Sequence, residues 1–361
     1  MYKADRYFIA MGKKFTNIWQ AYEELKHTDY DIEPYYENEG FKNLGKVDID
    51  LDKDYVAESL KDIFLKYKKV NLLYSGGVDS HTILSSALNN NLNFNQVLTF
   101  GKSINNESYL DGENNNIQIQ NYMRDNTVNW KFYPNSIEWM EKIFLSDNWH
   151  LKDSGEFNMC PETHLSHLDL IKKDELYIVG KDKPSLLHFK NRWYAFYTHT
   201  FGLDYWDHGN FMYFYHNTEY PKLMIQQHHK LRNWYIKNYG IPTVPLVLDI
   251  GWAGRQQDVG WYKFNEIIGR THALNSQSEI KKTKQCIPLN YKHISLMKEL
   301  DSIGRRDIVD EFLDRCKDVY KTYNQIEWDW PPFDPKGKTP WLYDIDTGEY
   351  LTGEKMGLML K

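Results

Sequence analysis

Cysteine is scarce in this sequence of 361 residues, which contains only Cys160, Cys286 and Cys316. They are odd in number, far apart and never in a CxxC pair, so no disulfide framework is expected and the setting reads as reducing and intracellular. No run reaches the about 18 apolar residues that a membrane-spanning helix needs. The opening MYKADRYFIAMGKKF lacks the apolar core of a signal peptide. A soluble, cytoplasmic protein with no membrane partner is the expectation. Basic excess is missing as well: 44 Lys and Arg stand against 50 Asp and Glu, a formal net charge of -6. That removes the global footprint of sequence-independent nucleic-acid binding, although a local basic groove stays open. Internal repeats and low-complexity tracts are lacking too.

Aromatic residues are abundant, at 16% of the chain with 27 Tyr and 12 Trp, many of them between Trp193 and Tyr262. The plainer reading is a ring-rich core and surface rather than a base-stacking platform. Residues 1–66 are mixed and charged, and the patch DYDIEPYYENEGF reads as surface turn and loop. In DYVAESLKDIFLKY, Val56, Leu60, Ile63 and Phe64 recur at helical spacing, which predicts an amphipathic helix leading into the core. Strands and helices then alternate. NLLY is followed by the helix DSHTILSSALNN, the strand FNQVLTFG by the helix IQIQNYMRDN, and the strand NWKFYPN by helices in NSIEWMEKIFLSDNW and PETHLSHLDLIKK. ELYIVGKDKP gives a fourth strand, ended by Gly180 and Pro184.

This alternation predicts an α/β fold, a parallel sheet with helices on both faces, with ligands bound at the carboxyl ends of the strands. The expected divisions are an N-terminal segment (1–66), the α/β domain (67–200), a mainly helical, aromatic-rich substrate or assembly region (201–325) and a tail (326–361). Within the third, YPKLMIQQHHKLRNWYIKNYG predicts a glycine-stopped helix and SLMKELDSIGRRDIVDEFLDRCKDVYKTY a helical pair. IPTVPLVLDIGWAGRQQ reads as a Pro- and Gly-punctuated loop. In the tail, LYDIDTGEYL predicts a hairpin with Thr347 and Gly348 in its turn.

The chemistry concentrates in NLLYSGGVDSHTIL, Asn71 to Leu84. An apolar strand runs into a turn where Gly76 and Gly77 leave backbone N–H groups bare and Ser75 and Ser80 add hydroxyl donors. The helix that follows contributes the positive end of its dipole. Such a turn binds phosphate. It matches neither GxxxxGK[ST] nor GxGxxG. Asp79 would repel a bare phosphate, so it either holds a Mg²⁺ carried by a nucleotide or caps the turn.

SGGVDS resembles the SGGxDS signature of the PP-loop ATP pyrophosphatases, which include asparagine, argininosuccinate, GMP and NAD synthetases and several tRNA-modifying enzymes. The resemblance implies a HUP, or adenine nucleotide α-hydrolase-like, sheet with ATP and Mg²⁺ as ligands. It implies cleavage between the α and β phosphates, transfer of AMP to an oxygen of a small-molecule substrate, and displacement of AMP by ammonia, an amine or a sulphur nucleophile. Ser75, Gly76, Gly77, Asp79 and Ser80 would then hold the pyrophosphate and its metal. Adenine would sit at Leu98, Thr99 and Phe100, beside Leu73 and Tyr74. The nearest likeness is to the synthetase domain of asparagine synthetases, over about residues 67–190, through SGGVDS, VLTFG, SYLDGEN and CPETHLSHLDLIKKDELYIVGKDKP. GKDKP stands where that domain has GEGADE. Gly180 retains the strand-end glycine, Asp182 would join Asp79 at the metal, and Lys181 and Lys183 either serve pyrophosphate or an acidic substrate or are plain surface charges. No cysteine precedes Cys160, and 66 residues are too few for a glutaminase domain, so free ammonia, a substrate amine or a partner glutaminase is expected to supply the nucleophile of an amidation.

Cys160, His164 and His167 fall on one helical face, three ligands of a zinc site whose fourth would come from His208, His216, His228 or His229; core histidines are the commoner outcome. His228, His229, Lys230 and Arg232 make a basic face that could meet an anion and is more often solvated. Arg255, on a glycine-flanked loop, is a substrate-binding candidate. The cysteine sets of tRNA-thiolating and deazaguanine-forming members are lacking. An AMP-forming synthetase is the leading reading. A nucleobase- or tRNA-modifying enzyme and an ATP-binding sensor or assembly protein without turnover are the alternatives. Acceptor, nucleophile and oligomeric state are not legible.

Overall fold

A computed structural model of the chain describes residues 5–15, 33–37, 42–102, 113–135, 141, 172, 174–180, 183–196, 210–249, 253, 256, 258–270, 300–314 and 342–351. At the N-terminus, β1 (Asp5–Ala10), β2 (Lys13–Phe15) and β3 (Glu33–Glu37) pair antiparallel in the order β2-β1-β3. Residues 33–37 are thus strand where a surface loop is predicted: Tyr35 and Tyr36 stand opposite Tyr7 and Arg6. Consecutive aromatic residues suit a pleated surface once a partner strand exists.

Helix α1 (Tyr55–Lys66) is the predicted amphipathic helix. Asp54 caps it by accepting from the Ala57 amide at 3.0 Å, and Leu60 and Ile63 are fully buried, flanked by half-buried Val56 and Phe64. The chain continues through β4 (Val70–Leu73), α2 (Val78–Asn89), β5 (Gln96–Lys102), α3 (Glu113–Asp125), β6 (Trp130–Asn135) and β7 (Leu176–Val179). It then forms a hairpin, β8 (Ser185–Phe189) and β9 (Arg192–Phe196), and returns to the first sheet as β10 (Asn210–Tyr213). The result is a five-stranded, wholly parallel sheet in the order β10-β7-β4-β5-β6, flanked by helices.

The α/β class therefore holds, with one more strand than the sequence pattern reveals. Val70, Leu72, Tyr74, Val97, Ile178 and Met212 pack in one core with Leu60 and Ile63 of α1, Ile83 and Leu84 of α2 and Ile119 of α3. Asn71, Leu98 and Tyr177, which alternate with them, are also buried, as expected of a parallel sheet covered on both faces. Asn71 escapes the cost of burial by donating to Glu175 at 2.9 Å and accepting from Asn95 at 2.9 Å, at the amino-terminal edge of the strands.

Helix α4 (Pro221–Tyr239) starts with proline and stops at Gly240, whose φ of 79° favours glycine. Leu223 enters the first core, while Met224, Ile225 and Leu231 enter a second. That second core lies against an antiparallel sheet. The described residues of 201–325 form α4, α5 (Gly260–Ile267) and the helical residues 306–314, and supply β10 to the first sheet. The same stretch supplies β11 (Leu246–Leu248), and the tail β12 (Leu342–Asp344) and β13 (Tyr350–Leu351), to a sheet ordered β11-β8-β9-β12-β13. The hairpin expected in LYDIDTGEYL is present, with Asp344 accepting from the Asp346 and Thr347 amides at 2.9 Å each. The helices expected in NSIEWMEKIFLSDNW and PETHLSHLDLIKK fall outside the described residues, Asn135, Glu141 and Lys172 apart. Among the described residues, no helix is long and apolar enough to cross a membrane.

Candidate functional site

Two neighbouring strands, β4 and β7, send the chain in opposite directions. From β4 it passes through α2 to β5 on one side, and from β7 it proceeds to β10 on the other. Such a reversal opens a crevice at the carboxyl ends of the two strands, the usual ligand position in an open α/β sheet. Leu73, Val179 and Tyr213 are level in register, so the turn after β4, Gly180 after β7 and Tyr215 after β10 share one edge.

The turn after β4 is SGGVDS. Gly76 takes a φ of 74°, left-handed backbone that glycine adopts at no steric cost, and Gly77 is the extended N-cap of α2. The serines organise the bend from within: Ser80 Oγ accepts from the Ser75 amide at 3.2 Å, and Ser75 Oγ accepts from the Gly77 amide at 3.3 Å. No acceptor among the described residues meets the amides of Gly76, Val78 or Asp79. Gly180 backs this bend so closely that a Cβ there would stand 2.9 Å from Ser80 N and 3.0 Å from the Asp79 carbonyl carbon. Its observed role is close approach of strand and helix.

Asp79 does not cap the helix. Its carboxylate accepts from Lys183 Nζ and from Arg270 Nη1, both on the same oxygen. Side-chain exposure is 19% for Asp79, 10% for Lys183 and 1% for Arg270. Burial alone would push the Asp79 carboxyl up; the Arg270 guanidinium and the Lys183 ammonium outweigh it and hold the carboxyl below its ordinary range. Arg270 is fixed on other sides as well. Its Nη2 donates to Gln227 Oε1 at 2.6 Å, and its Cζ lies 3.8 Å from the centroid of the Tyr215 ring, a cation-π distance. The Tyr215 hydroxyl in turn donates to the Asp79 carbonyl at 3.1 Å. The Arg270 backbone is set by the end of α5, where its amide bonds Asn265 O at 2.8 Å and Gly269, at φ 81°, bonds Glu266 O at 3.0 Å. One residue along from Gln227, His228 is fully buried and donates to Met224 O; burial pushes it down to about 3.

The residues expected to flank adenine are more enclosed. Leu98 and Thr99 are buried. The Thr99 hydroxyl donates to Tyr74 O at 2.7 Å and accepts from Trp130 Nε1 at 2.8 Å, so it ties β4, β5 and β6 together. Tyr74 is buried and shares a 3.1 Å hydrogen bond with His81 Nδ1, whereas Leu73 is half-buried. Phe100 lies on β5 opposite Tyr133. Lys181, Asp182, Cys160, His164, His167, His208 and Arg255 lie outside the described residues. His216 and His228 are buried and His229 faces Ile345 O at 3.1 Å; no cluster of three or more metal-ligating side chains occurs among the described residues. Asp79 offers Mg²⁺ a single hard oxygen donor. The residues present thus fit a Mg²⁺ that arrives with a polyphosphate supplying further oxygens, rather than an ion caged by protein.

Tyr215, Gln227 and Arg270 are absent from the sequence-based candidates. A Gly-Arg pair after an apolar helix is an ordinary helix ending, and no local signal points it at a turn 191 positions away. No family model matches this chain, and comparisons with curated proteins and with solved structures give no match.

Proposed function

We propose that the chain is an AMP-forming ATP pyrophosphatase of the PP-loop kind, with a HUP-like sheet, that adenylates a small-molecule oxygen and then forms a C–N bond. One observation carries the reading: the SGGVDS turn lies at the β4/β7 switch point, its helix amides facing forward, with Lys183 and Arg270 gathered at its acid. The strand order supports the HUP-like assignment, since in chain order it reads 5-4-1-2-3 outward from the β10 edge.

In this reading the amides of Gly76, Val78 and Asp79 and the hydroxyls of Ser75 and Ser80 receive the β and γ phosphates. Mg²⁺, bound at Asp79 with the nucleotide, would neutralise charge that develops on the leaving pyrophosphate. The substrate oxygen attacks the α phosphorus, the α–β bridge breaks, and its electrons leave with pyrophosphate. An amine or ammonia nitrogen then attacks the activated carbon, the C–O bond to AMP breaks, and the nitrogen loses its proton to solvent. Lys183 and Arg270 hold the leaving group in line.

The test is release of AMP and pyrophosphate from Mg-ATP in the presence of amino acids and ammonia. Asp79→Asn and Ser75→Ala are each expected to lower the rate about 10²-fold, the usual effect of losing one transition-state ligand. Wild-type rates in both would refute the proposal. The engagement of Asp79 by two cations also favours a second reading, an ATP-binding sensor without turnover. It predicts nucleotide binding with no pyrophosphate from any substrate pool.

A further inference from the structure

We propose that Tyr74 and His81, the residues on either side of SGGVDS, are positioning residues: their side chains clasp the turn shut and fix where its outward amides point. The inference rests on reading the turn as a polyphosphate cradle. It adds to that reading the side chains that shape the cradle from behind.

The bend has few backbone bonds of its own. The amides of Gly76, Val78 and Asp79 meet no acceptor among the described residues, and that of Gly77 goes to the Ser75 hydroxyl at 3.3 Å. Amides turned outward for an anion cannot also bond inward, so side chains must fix the conformation. Two pairs do so, one inside the other. Ser75 and Ser80 form the inner pair, their hydroxyl oxygens 3.3 Å apart. Tyr74 and His81 form the outer pair, with 3.1 Å between the phenolic oxygen and Nδ1.

Both ends of the outer pair are anchored. Tyr74 belongs to the sheet: its amide donates to Leu98 O at 2.8 Å, its carbonyl accepts from the Thr99 hydroxyl at 2.7 Å, and its ring lies in the first core. His81 belongs to the helix, where its amide donates to Gly77 O at 2.9 Å and closes the first turn of α2. One residue thus ties its backbone to the N-cap and its side chain to the end of β4. The imidazole also meets the Tyr122 ring of α3 edge to face, with centroids 5.0 Å apart. Tyr74 and His81 are both buried, where a hydroxyl and an imidazole destabilise the fold unless they are hydrogen-bonded, and here each satisfies the other. Burial pushes His81 down to about 4, so the bond joins two neutral groups at pH 7. An apolar pair would fill this space with no polar group to satisfy. What it lacks is a directional bond, which sets the distance from strand end to helix start. Amides held in place beforehand lose little freedom when an anion arrives.

Calorimetry with inorganic pyrophosphate and Mg²⁺ tests the clasp. Tyr74→Phe, which deletes one oxygen, and His81→Leu are each expected to bind about fivefold more weakly than wild type, the effect of one net hydrogen bond. His81→Asn, which keeps a polar atom where Nδ1 stands, should recover most of the loss. The double variant Tyr74→Phe/His81→Leu should lose no more than either single one, since both remove the same bond. Ile83→Val is the control: it trims a fully buried side chain of the same helix, lowers stability without touching the clasp, and should bind within about twofold of wild type. Amide hydrogen exchange of the ligand-free proteins gives a second readout, about fivefold faster at Gly77, Val78 and Asp79 in Tyr74→Phe and unchanged in Ile83→Val. If His81→Leu does not fold, Tyr74→Phe and His81→Asn carry the comparison. Where wild type binds pyrophosphate, unchanged affinity in Tyr74→Phe, or an equal loss in Ile83→Val, overturns the clasp and leaves the cradle standing. Where wild type binds neither pyrophosphate nor ATP, the cradle reading falls, and exchange decides the clasp: faster exchange at the turn in Tyr74→Phe keeps it, and unchanged exchange removes it.

Discussion

The guanidinium of Arg270 and the carboxylate of Asp79 meet at the carboxyl edge of the parallel sheet although 191 positions separate them in the chain. Arg270 comes from the end of α5, beyond the second core, and Asp79 from the first turn of α2. Their contact therefore joins the two packed units at the SGGVDS turn, and, if the turn binds the proposed nucleotide, stability and binding should be coupled there.

Arg270→Met removes a buried guanidinium and leaves Asp79 with Lys183 alone. Breaking a buried pair costs about 3–5 kcal/mol when the abandoned charge has no other partner, so the lower end, about 3 kcal/mol, is expected here. Lys183→Met, at a more exposed position, should cost about 1 kcal/mol. Urea denaturation of the three proteins gives both values, and equal midpoints for wild type and Arg270→Met would mean that the pair does not stabilise the fold.

Gly180→Ala should damage the site through packing. The added methyl meets backbone atoms of Ser80 and Asp79 at 2.9 and 3.0 Å, and backbone cannot swing aside as a side-chain tip can. About 1–3 kcal/mol of destabilisation is expected, together with weaker ATP binding from a shifted α2 start. A thermal melt paired with a nucleotide titration checks it; a variant that melts with wild type and binds equally well would show that β7 and α2 have room to part.

Stability should fall in mild acid. Burial pushes His228 down to about 3 and His81 down to about 4 from an ordinary 6.5. Below about pH 6.5 the unfolded chain binds protons that the folded protein refuses, so the contribution is complete above pH 6.5 and is lost as pH drops toward the folded values. About 1–2 kcal/mol per histidine should be gone at pH 5. His228→Asn, which can still donate to Met224 O, should lose less than wild type between pH 7.5 and 5.0 in urea titrations. Identical losses would assign the acid sensitivity elsewhere.

Glu175→Ala is expected to separate fold from site. This carboxylate is 2% exposed and accepts from Asn71 at 2.9 Å and Lys69 at 3.0 Å, at the edge of the sheet opposite the SGGVDS turn. Its removal strands the buried Asn71 amide and should cost about 1–3 kcal/mol while leaving nucleotide affinity within twofold of wild type. A parallel loss of affinity would show that the two edges are coupled through β4 and β7.

Much of the first sheet can be read from short stretches. The run ending at Tyr74, the two glycines and the apolar spacing of Ile83 and Leu84 lie within about four turns of chain, so backbone preference and burial act on neighbours. The same holds for α4 between Pro221 and Gly240 and for the Asp344–Gly348 turn. The second sheet is harder to read. SLLHF and RWYAF are joined at Lys190 and Asn191 with φ of 48° and 60°, a two-residue turn lacking the Asn-Gly pair that usually signals one. β10 and β11 are runs of four and three residues whose only strand signal is the partner each meets.

The sequence by itself determined the bend after β4: Gly76 must be left-handed, Ser75 and Ser80 must turn inward, and a helix must begin at Val78, all through contacts within six residues. Tertiary structure alone decided which charges face Asp79. Lys183 arrives from beyond β7 and Arg270 from beyond α5, each brought there by strand order and helix packing. The physical reason is range: torsional preference and local hydrogen bonds act along the backbone, while the partner of a charge depends on which distant segments the core draws together.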